Sequence, residues 1–384
     1  MKSEILDFLA EKPRVAGSRR NEEIAGFLLD KYSSLGYDVD VDEHRFMGWK
    51  LLDEPQFSFL KPKRKKAATT QMVWSGSTEG KVRGRLVSSG VQLTFEAYPF
   101  RKYSIVDEDG KEQGYVLTRP DMVWLQSLTN AMDNMPCCLI DTKSCRQIER
   151  WQKQGKEIEA EFSIKTKYVP NTVLRNVIAT KKGRAKKEIV VCAHYDSVPG
   201  SPGANDNASG TLVLLKLAEV LSKKDFRHTI RLVSFDAEEW NKQGAYMYVE
   251  KRRQKVSENK AGLGTKTARY LKKQTDLDKI KAVVNIDTAG AGKTIYNICS
   301  KKYAGLVEAS AKELGKNVEV RGGYNAPQFD GWAFHVEGVP VIHFGVYPYK
   351  YFHTPEDMKE KVNLKLIDDV AGLIEKIVDS LDKD

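Results

Sequence analysis

Cysteine is scarce in this chain and follows no pairing pattern. Cys137, Cys138, Cys145, Cys192 and Cys299 are odd in number and show no C-x-x-C spacing, which argues against a disulfide framework and a zinc knuckle and suits a reducing compartment. Long apolar runs are also missing. "MKSEILDFLAEKPRVAG" mixes acids among its apolar residues, so no secretory core is expected, and no segment reaches the length of a membrane span. No internal repeat is evident, nor any low-complexity tract beyond short basic spacers. A cytoplasmic location without membrane association is the expectation.

What is present is the composition of a globular protein. At 384 residues and 41% hydrophobic content the chain can form one large domain or two of ordinary size. The 62 Lys and Arg against 52 Asp and Glu leave a net charge of +10, which suits acidic partners but more commonly marks a solvated, Lys-rich surface. A nucleic-acid site would need clustered cations with exposed aromatics. Only residues 251–273 cluster, with nine basic residues, one acid and Tyr270 as the lone aromatic, so no nucleic-acid partner is expected. An exposed loop or a basic rim are the two readings of that segment.

Periodicity gives the organisation. Ile24, Phe27, Leu28 and Leu35 recur at helical spacing before Gly36, and "YDVDVDEHRF" then alternates like a strand. Between residues 49 and 165 the character changes: "KPKRKKAA" reads as a basic spacer, "GKVRGRLVSSG" and "CLIDT" as short strands, and "SCRQIERWQKQGKEIEA" as a helix leading into another strand. From "TVLRNVIAT" onwards strands alternate with helices: "EIVVCA", "TLVLLKLAEVLS", "TIRLVSFD", "KAVVNID" and "VPVIHFG" before a closing helix. That alternation predicts an α/β fold, a central mostly parallel sheet flanked by helices, with a smaller β-rich domain inserted. The domains are expected at 1–48 with 166–384, and at 49–165.

In such sheets functional groups collect at the carboxyl ends of the strands. "EIVVCA" ends in His194 and Asp196 with Asp206 in the loop beyond; "TIRLVSFD" ends in Asp236, Glu238 and Glu239; "KAVVNID" ends in Asp287; His353 follows "VPVIHFG". Singly, each has an ordinary explanation, such as a helix N-cap or an acid in a first helical turn. Together, His and carboxylate groups at four strand ends form a mixed nitrogen and oxygen donor set suited to a pair of cations such as zinc, with one carboxylate left over to act as a base.

The stretches "HYDSVPGSPGANDNASG", "FDAEEW", "NIDTAG", "QFDGWAF" and "FHTPEDM", in this order over residues 165–375, resemble the M28 family of di-zinc aminopeptidases, related to glutamate carboxypeptidase. The resemblance implies that His194 and Asp287 bind one metal, Glu239 and His353 the other, and that Asp206, twelve residues after His194, bridges both. It implies Glu238 as general base and Asp196 as the partner that orients the His194 ring. Two Zn2+ ions are the expected cofactors, with Co2+ or Mn2+ able to take the same donors. Asp330 matches an aspartate of the family, but Phe329 and Gly331 replace its usual neighbours. Phe352 stands where many relatives carry an oxyanion-binding tyrosine, leaving Tyr324, Tyr347, Tyr349 and Tyr351 as candidates.

The 49–165 insert stands where several relatives carry a protease-associated domain. In it Trp124, Tyr103 and Phe100 either line a substrate cleft or form the module's own core. The favoured reading of the chain is an aminopeptidase acting on peptides, with a homo-oligomer possible. A carboxypeptidase for acidic C-terminal residues, a glutaminyl-cyclase-like transferase, or a non-catalytic scaffold of the same fold are the alternatives. The cyclase needs one metal and scaffolds lose ligands, whereas this donor set is complete.

Overall fold

The computed structural model describes residues 2–93, 99–120, 128–129, 134–258 and 276–383. Trp124 and residues 259–273 of the basic segment therefore lie outside the described residues; residues 251–258 belong to the helix Gln243–Glu258. The chain divides into two units: Met1–Arg45, Val173–Ser197 and Ser201–Asp384 form the larger, Phe46–Thr172 and Val198–Gly200 the smaller. No helix among the described residues is long and apolar enough to cross a membrane.

The larger unit begins with two helices, Lys2–Leu9 and Arg19–Ser34. The second starts where the Ser18 side chain accepts the Asn21 N–H at 3.1 Å, satisfying one of the helix's free donors. It buries Ile24, Ala25, Leu28 and Tyr32 along one stripe and stops before Gly36, whose φ of +80° suits a glycine. The sheet is built from β1 (Glu159–Lys181, by its last residues), β2 (Glu188–His194), β3 (Thr229–Phe235), β4 (Ile280–Ile286), β5 (Thr294–Cys299), β6 (Val318–Gly322) and β7 (Val341–Tyr347). Their order is β6-β5-β7-β4-β2-β3-β1. The β3-β2-β4-β7 run is parallel throughout, as is β5 with β6, while β5 with β7 and β3 with β1 are antiparallel.

Alternation along the strands feeds two cores. Ile189, Val191 and Ala193 of β2 pack with Leu212, Leu215, Val370 and Ile374 in one cluster. Val190 and Cys192 pack with Val233, Phe235, Tyr248 and Phe334 in the other. A strand covered on both faces carries apolar residues at successive positions, so "EIVVCA" is a continuous apolar run. Each buried branched side chain contributes about 1.5–3 kcal/mol. Register also decides where the polar ends fall. His194 pairs with Phe235 and Cys192 with Asn285, so Asp287, two residues beyond Asn285, comes level with His194 at the carboxyl edge.

One histidine of this sheet is structural. His343 in β7 is buried, stacked on Phe329 with ring centroids 3.8 Å apart. Its Nδ1 lies 2.9 Å from Asn285 Nδ2, which donates, and its Nε2 lies 3.3 Å from the Tyr296 hydroxyl. Burial pulls its pKa from 6.5 down to about 3. The unfolded chain therefore binds this proton at a higher pH than the folded one, and the stability His343 contributes above pH 6.5 is lost as pH falls towards 3. In His343→Gln the gap in unfolding free energy from wild type is expected to narrow by about 1.4 kcal/mol per pH unit across this window. Parallel pH profiles in urea titrations would contradict the assignment.

The smaller unit is β-rich. Val82–Leu93 pairs antiparallel with Pro99–Val106, which pairs with Glu112–Thr118; Cys137–Ile140 joins Glu112–Thr118 in parallel and Thr69–Val73 antiparallel. The helix Thr142–Lys153 is capped by Asp141, which accepts the Ser144 N–H at 2.7 Å, and sets Ile148 and Trp151 against Phe57, Phe59 and Phe162. Tyr103 and Phe100 are 2% and 3% exposed and belong to this unit's cores, so neither lines an open cleft. The "KPKRKKAA" stretch is not a spacer: Lys65 and Lys66 pair with Phe59 and Ser58 as an antiparallel turn-back. Lysines suit such an exposed edge because they oppose further strand addition.

Candidate metal centre

The strand ends converge as the register requires. His194 closes β2, Asp287 follows β4, and Glu238 and Glu239 follow β3 across a sharp turn in which Ala237 has φ +54°. The turn is held by Asp236, whose Oδ1 accepts the Ala237 N–H at 2.8 Å and whose Oδ2 accepts that of Arg175 at 2.9 Å. Leaving the strand this abruptly frees Glu238 and Glu239 from the alternation that would send neighbours to opposite faces. Burial pushes the Asp236 carboxyl up to about 7, with the Asp196 charge adding to it. His353 lies in the loop after β7, also at positive φ (+57°), its ring stacked on Phe352 at 3.7 Å. A non-glycine residue held there is strained and needs its surroundings to keep it so.

Asp206 stands at the centre. Its Oδ1 lies 3.3 Å from His194 Nε2, which is 3.5 Å from Asp287 Oδ2. Its Oδ2 lies 3.3 Å from His353 Nε2, which is 2.9 Å from Glu239 Oε2. Two groups able to hold a cation result among the described residues, His194 with Asp206 and Asp287, and Asp206 with Glu239 and His353, each with ligand atoms within 4.8 Å of one another. The two groups share only Asp206.

Charge and solvation fit such a filling. His194 Nε2, Asp206 Oδ2, Glu239 Oε1 and Asp287 Oδ1 are buried without a hydrogen bond to any described residue, a costly state for polar atoms unless a cation satisfies them. Burial pushes Glu239 up to about 7 and raises Asp287 as well, against the pull of the nearby imidazoles. At His194 burial disfavours the charged ring, but Asp287, Asp196 and Asp206 outweigh it and hold the pKa well above the ordinary value. Hard and borderline cations accept this mixture of imidazole and carboxylate donors.

Asp196 joins the pieces. Its Oδ1 is 3.3 Å from His194 Nδ1 and accepts the Glu238 N–H at 3.0 Å, while its Oδ2 accepts the Glu239 N–H at 3.3 Å. One buried carboxylate thus faces the His194 ring and both glutamates' backbone. Glu238 is 9% exposed, and burial raises its carboxyl well above the usual range. Asp330 is buried, with Oδ1 lacking a hydrogen bond to any described residue, and burial lifts it to about 7.

Sequence reasoning missed several residues of this region. Arg14 and Asp357 hydrogen-bond the loop between His194 and Asp206, and Lys242, 2% exposed, follows the glutamate pair. A charged residue next to a strand-end motif was the available signal for Lys242; for Arg14 the local sequence could not name the partners, since Tyr195, Pro202 and Gly203 lie 181 to 189 residues away. Of the four tyrosines, Tyr347 donates to Glu319, Tyr349 to Asp357 at 2.6 Å and Tyr324 to the Ala326 carbonyl at 3.4 Å. Tyr351 meets the Tyr349 ring edge-to-face, centroids 5.8 Å apart, and its hydroxyl makes no hydrogen bond among the described residues.

Comparison with known proteins places this arrangement. The sequence model of Peptidase family M28 matches residues 176–378. Aminopeptidase YwaD of Bacillus subtilis (strain 168) is 28% identical over 236 residues, covering 56% of this chain and 46% of that protein, so the match takes in about half the length of that relative. Among solved structures, a Peptidase M28 precursor from Shewanella amazonensis SB2B superposes with a TM-score of 0.76 at 19% identity, covering 99% of this chain and 92% of that one. BSAP, a zinc aminopeptidase from Bacillus subtilis, gives 0.70 at 20%, covering 98% and 93%. At these identities the structural likeness speaks for the fold, and the family match, over more than half of the chain, for descent. The chain belongs to peptidase family M28.

Proposed function

We propose that the chain is a metal-dependent aminopeptidase that hydrolyses N-terminal residues from peptides, with two zinc ions held by His194, Asp287, Glu239, His353 and the shared Asp206. The observation that carries this reading is the pairing of Asp206's two oxygens with two separate histidine and carboxylate groups, 3.3 Å away on either hand. Two cations bound there would supply Lewis-acid polarisation of the scissile carbonyl and lower the pKa of the attacking water.

The chain's own residues do the rest. Glu238, excluded from bulk solvent, accepts the proton of the attacking water and returns it to the leaving amine. Asp196 holds the Glu238 and Glu239 backbone while facing His194, so one carboxylate positions the base and two of the ligands. Tyr351 is the reading for the oxyanion donor, since the hydroxyls of Tyr324, Tyr347 and Tyr349 have acceptors elsewhere. Replacing Asp196 with Asn is expected to weaken zinc affinity roughly 10- to 100-fold, as loss of a group that orients ligands does, and to lower kcat through Glu238 at saturating zinc. Competition with a chromophoric chelator measures the first, and steady-state kinetics in excess zinc the second.

Metal content of protein purified without chelator, measured beside hydrolysis of aminoacyl-p-nitroanilides and N-blocked peptides, tests the whole reading. About two zinc ions per chain with cleavage of free-amino substrates alone supports it. Cleavage from the C-terminus alone, or no zinc after supplementation, overturns it.

A further inference from the structure

Between His194 and Asp206 the chain has little regular structure: residues 195–203 belong to no helix or strand. Backbone groups in such a buried loop still need partners, and two charged side chains supply them. Arg14, fully buried, spends its guanidinium on carbonyls: Nε donates to Tyr195 O at 2.7 Å, Nη1 to Pro202 O at 2.5 Å and Leu9 O at 2.8 Å, and Nη2 to Gly203 O at 2.9 Å. Its backbone N–H donates to Ser197 Oγ at 2.9 Å, which in turn donates to Ser201 O at 3.2 Å. Asp357, also buried, takes the N–H groups that follow. Its Oδ1 accepts from Asn205 at 2.8 Å, its Oδ2 from Asp206 at 3.0 Å, and its carbonyl from Ala204 at 3.0 Å.

The division is chemically apt. A guanidinium has only donors and a carboxylate only acceptors, so one serves a run of carbonyls and the other a run of N–H groups. Among the described residues no carboxylate hydrogen-bonds Arg14, so its planar fork is committed to the loop. Burial draws its pKa down to about 10, with Asp357, Asp196, Asp206 and Glu239 opposing the fall, and it stays charged at neutral pH. Gly203 completes the fit: φ is +59°, and a Cβ there would stand 2.2 Å from Asp206 O and 2.7 Å from Ser197 Cβ.

We propose that Arg14 and Asp357 form a clamp that fixes the separation of His194 from Asp206 and thereby sets metal affinity from outside the donor set. Neither side chain is a ligand; both are positioning residues, and the inference rests on the metal-centre reading above.

The test uses the full chain as wild type, Arg14→Lys, Asp357→Asn and the double variant, each stripped of metal and titrated with zinc against a chromophoric chelator. Circular dichroism and thermal unfolding of the metal-free forms run alongside. Each single variant is expected to keep the wild-type circular dichroism and to lose roughly 10- to 100-fold in zinc affinity. The double variant should lose less than the product of the two, since both residues hold one loop. Zinc affinity within twofold of wild type in the folded single variants overturns the clamp, as does a fall in metal-free melting temperature with no change in affinity. Should Arg14→Lys not fold, Ser197→Ala removes one link of the same loop, with an expected loss of about 2- to 10-fold, and unchanged affinity there overturns the proposal. A wild type that binds no zinc instead refutes the metal-centre reading, a result distinct from either.

Discussion

Glu238→Gln is expected to keep about the wild-type zinc content while kcat falls roughly 10²- to 10⁴-fold, the usual worth of a positioned general base. Glutamine matches glutamate in shape, and the Glu238 backbone N–H to Asp196 Oδ1 does not involve the side chain, so the turn and its neighbour Glu239 are undisturbed. What is lost is a proton acceptor. Glu238 is buried, and burial raises its carboxyl, with Asp330 and Glu239 adding to the effect and His194 and Lys242 opposing it. A base of raised pKa binds the transferred proton more firmly and hands it to the leaving amine in the second half of the reaction. Zinc analysis beside steady-state kinetics separates the two properties. Retained turnover in a fully loaded Glu238→Gln protein would remove Glu238 from the reaction.

Asp206→Asn is expected to have the largest effect on metal retention. Each of the proposed sites takes one Asp206 oxygen, and the amide replaces one of those oxygens with an N–H group that repels a cation. Burial alone would raise the Asp206 carboxyl, but His194 and His353 outweigh it and hold it below the ordinary carboxylate range. The wild-type side chain is thus charged in advance of binding. The loss should exceed the roughly 100-fold seen when only an orienting neighbour is removed. Stability reports the same event: zinc at 100 times its dissociation constant stabilises a binding protein by about 2.7 kcal/mol. Wild type should melt at a higher temperature with zinc than without, and Asp206→Asn should not. An equal zinc-induced shift in both proteins would show that Asp206 is no shared ligand.

Much of this was legible in the sequence because parallel strands covered on both faces must be apolar throughout, which makes their polar ends conspicuous. His194, Asp287 and the Glu238–Glu239 pair stood out for that reason; the register brings His194 and Asp287 level, and the turn at Ala237 delivers the glutamates. Other parts carry no local sign. "TIYNIC" alternates too briefly to mark β5, and β6, "VEVRG", is polar and half exposed. Arg14 looks like one more surface cation in a chain with 62 Lys and Arg; only the folded loop shows its donors pointing at carbonyls from distant parts of the sequence. Asp357 sits within "FHTPEDM", yet its role is a backbone one, and backbone hydrogen bonds leave no trace in residue type. Lys65 and Lys66 misled for the opposite reason, since exposed edge pairing and a solvated spacer draw on the same residues.

Gly203 bears on how this chain could diverge. Every larger residue at 203 meets the Asp206 carbonyl and the Ser197 side chain at once, and the positions on either side of it are tied down through Pro202 and Ala204. Descendants therefore have almost no freedom to substitute or change length from 202 to 206. Gly200, three residues earlier, faces only the end of the Gln71 side chain, at 3.5 Å. Insertions that survive selection should accumulate near residue 200, so homologues of different loop length would keep one constant spacing, counted backwards from the aspartate.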